Sequence, residues 1–74
     1  MNDPLYSMLH AEATADRTKA LLSLDLLSNK AAGIGDHSTE DFWKNARESL
    51  NLLGDADGRL RTLKKYFVEK NEGA

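Results

Sequence analysis

Asp36, His37 and Glu40 are the residues whose types and spacing come nearest to a chemical site. A histidine with two carboxylates in one short stretch could hold a divalent metal, or His37 and Glu40 could pass a proton between them. A metal centre needs a further ligand. The chain has no cysteine, so that ligand would have to come from His10 or from a second subunit. The same stretch also meets the needs of a helix start. Ser38 can cap, and Glu40 and Asp41 place acids in the first turn, where they offset the positive end of the helix dipole. We read it as a connection followed by a helix N-terminus and expect no metal and no cofactor. A small metal-dependent enzyme centred on His37 is the competing reading, and bound metal found by elemental analysis would favour it.

Asp55-Ala56-Asp57-Gly58 has the look of a partial calcium loop. A complete EF-hand loop closes with a bidentate Glu at its twelfth position. Counted from Asp55, that position is Tyr66, and a start at Leu53 offers no oxygen for the first ligand. The acids fit better as helix support, because Asp55–Arg59 and Asp57–Arg61 are acid-before-base pairs four apart. Arg59, Arg61, Lys64 and Lys65 then gather four cations, the side chains that contact phosphate. Asp55, Asp57 and Glu69 border them, and the whole chain has a formal net charge of −2, so no basic surplus stands behind the patch. A solvated helix face is the better reading. A nucleic-acid-associated protein using these four cations is the alternative, and salt-dependent retention on DNA would favour it. No nucleophile–base pair, phosphate loop or paired carboxylate is evident, and we expect a protein that is not an enzyme.

Helices must carry these residues. Phe42, Ala46, Ser49, Leu53, Ala56, Leu60, Leu63 and Phe67 recur in steps of four and three, which lines them up along one side of a long helix. Gly54 and Gly58 interrupt the composition but not the phase, and we expect the helix to run through them. A break there would make a three-helix protein. The glycines also form a small-xxx-small pair on the outer face, suited to flexibility or to the close approach of a second chain. Upstream, residues 5–32 hold no Gly or Pro and are rich in Ala and Leu. Leu9, Ala13, Ala20, Leu24, Leu27 and Ala31 form their inward stripe, flanked by Leu5 and Leu21 and interrupted by Arg17. Asn2, Asp3 and Pro4 suit a helix start, and Gly33 suits a helix end. The expected architecture is all-α: one antiparallel hairpin with a helix over about 4–32, a connection over 33–38 and a helix over about 39–70, assembling into a four-helix bundle.

The loop Gly33-Ile34-Gly35-Asp36-His37-Ser38-Thr39, with Leu60-x-x-Leu63-Lys64-Lys65-Tyr66-Phe67 after it, resembles small uncharacterised accessory proteins of tailed bacteriophages, including those infecting cyanobacteria. The resemblance covers the C-terminal half and implies a bacterial cytoplasm. It names no catalytic residue. The first residues lack the basic start and apolar run of a signal peptide, and no apolar stretch reaches the length of a membrane span, which agrees with a cytoplasmic location.

With 74 residues and no disulfides, a hairpin of this size is marginal alone and calls for a partner. Trp43, Leu50 and Leu52 flank the inward stripe, and Ile34 and Tyr66 add to the apolar excess. Together with Phe42 and Leu53 from the stripe itself, Trp43, Leu50, Leu52 and Tyr66 are the expected interface residues. The sequence therefore points to a non-catalytic protein–protein interaction module. It would be a homo-oligomer, or bind a host or viral protein through an apolar helical face.

Overall fold

The computed structural model describes residues 3–30 and 39–69. Helix α1 spans Asp3–Lys30 and helix α2 spans Thr39–Leu63. A π-helical turn, Lys64–Glu69, continues α2. The described residues contain no strand, and the two helices pack against each other as a hairpin. The expected connection over 33–38 lies outside the described residues, as do Ala31, Asp36 and His37.

Local chemistry accounts for the helix ends. Pro4 sits in the first turn of α1, where its missing N–H leaves nothing unsatisfied. Glu40 and Asp41 open α2 and Arg61 closes it, each with the sign the helix dipole favours. The helix runs unbroken through Gly54 and Gly58, and neither glycine has a positive φ. The three-helix alternative therefore falls away.

The packing is antiparallel. At one end Leu24 and Leu27 of α1 line a common groove with Phe42 and Ala46 of α2. At the other, Leu9 lines a groove with Leu63 and Tyr66. Between these ends Leu53 and Leu60 are half-buried, and the side chains that are fully enclosed are small. Ala13, Ala20 and Ala56 are the fully enclosed residues, with exposures of 1%, 0% and 0%, and Leu63 is the one large side chain that joins them among the described residues. Burying an alanine removes little apolar area, so these contacts stabilise the hairpin far less than a leucine core would. The molecule measures 56 × 19 × 15 Å, which across its width is two helices and no third layer.

One part of the expected stripe needs correction. Arg17 interrupts the α1 stripe as anticipated and stays half-exposed. Its Nε donates to Asp57 Oδ1 across the helix pair at 3.0 Å. Phe67 was to close the α2 stripe and is instead partly exposed. It lies in the π-helical turn, where i→i+5 bonding puts more residues into each turn, so four residues beyond Leu63 no longer complete one.

Candidate interaction surface

The alanine contact lets long side chains reach across both edges of the hairpin. On one edge Arg17 bonds Asp57. On the other, Arg59 Nη2 donates to Asp16 Oδ2 at 2.8 Å, Nη1 lies 3.8 Å from Glu12, and Nε lies 3.2 Å from Asp55. The Nε is enclosed yet makes no well-aligned hydrogen bond, so its contact with Asp55 is one of charge. The hydrogen bond to Asp16 raises the Arg59 pKa above its ordinary value. Partial desolvation opposes this, and the fields of Asp55, Asp16 and Glu12 reinforce it.

These pairs rearrange the charged residues anticipated from the sequence. Asp55–Arg59 forms as expected. Asp57 turns to Arg17 instead of Arg61. Of the four cations, Arg59 is turned to carboxylates on both helices. Arg61 and Lys65 share a shallow groove with Arg59, Gly58 and Tyr66. Lys65 Nζ lies 5.3 Å from the Tyr66 ring centre. Lys64 is exposed beside them. Asp55 and Asp57 are helical and lean to opposite edges, each against an arginine, which is not the geometry of a calcium loop. Of the Asp36–His37–Glu40 group, Glu40 alone lies among the described residues, and His10 stacks on Tyr6 at 5.7 Å.

The apolar residues divide in the same way. Phe42 and Leu53 are half-buried and turned toward α1. Trp43 packs edge-on against Phe42 with ring centres 5.3 Å apart, yet stays exposed. At about 100° per residue, Trp43, Leu50 and Leu21 fall on the edge that carries Arg17–Asp57. Leu52 and Tyr66 fall on the opposite edge, where Leu52 shares a groove with Leu26 and Leu27. Four of the six expected interface residues thus divide between two edges, and Phe42 and Leu53 face α1 instead. Sequence reasoning missed Met8, Leu22 and Leu26, all exposed on α1. Their spacing is the available signal, but the apolar residues of α1 surround its axis, and the stripe facing α2 shares the same period.

No family model, curated protein or solved structure matches this chain. No helix among the described residues is long and apolar enough to cross a membrane.

Proposed function

We propose that this chain is a non-catalytic protein–protein interaction module. One observation carries the reading: the exposed large apolar side chains outnumber the fully buried ones. Three alanines and one leucine are buried, whereas nine large apolar side chains are exposed among the described residues, including Trp43, Leu50 and Tyr66. These side chains are 38–60% exposed, so covering each one fully would recover about half of the roughly 1.5–3 kcal/mol that complete burial contributes. The Trp43–Leu50 edge, with Leu21 beside it and the Arg17–Asp57 pair at its rim, has the aromatic centre and charged border of a protein-binding site. The likeness of its C-terminal half to phage accessory proteins supports a bacterial cytoplasm as the setting, and a host or viral protein as the partner.

The test is affinity capture from bacterial host lysate on the parent, Trp43→Ala and Leu50→Asp, with circular dichroism confirming that each stays helical. The parent should retain a protein that both variants bind at least about tenfold more weakly, the effect of losing one anchor side chain. Equal retention by all three, or retention of nothing by the parent, overturns the reading.

A further inference from the structure

Helix α1 carries a second seam besides the one that faces α2. Leu5, Met8, Glu12, Ala15, Lys19, Leu22 and Leu26 follow one another at alternating intervals of three and four, and all are exposed, Leu22 and Leu26 to 60% and 56%. That alternation is the repeat of a helix-pairing stripe. At about 100° per residue, the seam lies roughly 110° around α1 from the line of Leu9, Ala13, Ala20 and Leu27. A helix at the corner of a four-helix bundle needs two contact lines set apart by about this much.

The seam is also self-complementary. Moving outward from Ala15, Glu12 stands on one side and Lys19 on the other, then Met8 and Leu22, then Leu5 and Leu26. A second α1 laid antiparallel about a twofold axis at Ala15 sets leucine against leucine at both ends and Met8 against Leu22. It sets Glu12 against Lys19, twice, as an isologous interface requires. Ala15, the smallest side chain of the seam, sits where the two helices must come closest.

Charge favours this occupant. Arg59 stands against three carboxylates, and Glu12 is the most loosely held of those on α1, at 3.8 Å with its side chain 62% exposed. A lysine from a second copy would answer it.

We infer that the α1 seam is the self-association face of this chain, occupied by a second copy in antiparallel α1–α1 contact. The inference rests on the interaction-module reading and names one of the partners.

Light scattering over a wide concentration range tests it. The parent should be dimeric, and Leu22→Asp should weaken the dimer about a hundredfold or more, because each dimer loses two leucine contacts. Leu50→Asp should leave the mass unchanged. Glu12→Lys and Lys19→Glu should each self-associate poorly, since like charges then face each other. Mixed in equal amounts they should form a heterodimer, in which every facing pair is again opposite in sign. Ala15→Cys should cross-link to a dimer on mild oxidation, as the chain has no other cysteine. A parent monomeric at every concentration, or a mixture that forms no heterodimer, overturns the seam. Dissociation by Leu50→Asp but not by Leu22→Asp also overturns it, moves self-association to the Trp43 edge, and leaves the interaction-module reading standing.

Discussion

Changing Gly54 or Gly58 to alanine should stabilise the hairpin. A glycine inside a helix is worth roughly 0.5–1 kcal/mol less than alanine, because it loses more backbone freedom on folding. Whether that difference is recovered depends on the space and φ at each site. A Cβ on Gly54 meets no atom within 4 Å, and one on Gly58 meets only Arg61 Nη2, the tip of a flexible side chain, at 3.9 Å. Neither glycine has a positive φ. No strain offsets the gain, so each variant should recover nearly the whole difference. For a domain of this size 1 kcal/mol moves Tm by about 4–8 °C, so each alanine should raise Tm by roughly 2–8 °C. Thermal melts followed by circular dichroism would measure this, at one fixed chain concentration because assembly makes Tm depend on concentration. If both variants melt lower than the parent, the continuous helix through Gly54–Gly58 is wrong. If both melt higher but assemble less well, the small pair is a site of close approach by another chain, and its open space in the single hairpin is where that chain sits.

Two further perturbations probe the contact between the helices. Leu63→Ala should cost about 2–5 kcal/mol in urea unfolding, since it empties the one large enclosed position, and Ala20→Leu should cost about 1–3 kcal/mol because Ala20 has no exposed surface to expand into. Near-neutral results for both would mean the helices are not held in this register. Arg17→Gln should cost only about 0.2–1 kcal/mol, the usual range for a pair whose side chains are nearly half exposed, and the difference should shrink in about 1 M salt. A larger, salt-independent loss would show that Arg17 acts through packing and not through charge.

Periodicity alone gave both helices and the direction each one turns inward. The step of four and three across the glycines correctly carried the phase of Phe42 to Leu63, because rotation about a helix axis is fixed by residue number. It could not say which residue lies across the gap. Arg17 therefore read as an interruption, when Asp57 of α2 was its partner. Arg59 read as one of four like charges, when Asp16 was within reach. The second seam of α1 was hidden for a different reason. Its leucines compete with those of the first seam for the same periodic signal, and the exposure of Leu22 and Leu26 separates them only once α2 is in place. Phe67 failed because the assumed turn was α-helical and the actual one is π.

The arginines at the two edges decide more than the strength of the hairpin. A contact built on alanines tolerates sliding, because one small side chain replaces another with little change in fit. Shifted by one heptad, Arg17 would stand beside Lys64 or Leu50 instead of Asp57, and Arg59 beside Leu9 or Ser23 instead of Asp16. Either slip takes Asp57 from Arg17 and Asp16 from Arg59 at once, leaving Arg59 the Asp55 of its own helix, and one of them sets two cations side by side. The charged clasps thus act as a vernier on a smooth rail: the alanines let the helices come together, and the two edges let them stop in only one place.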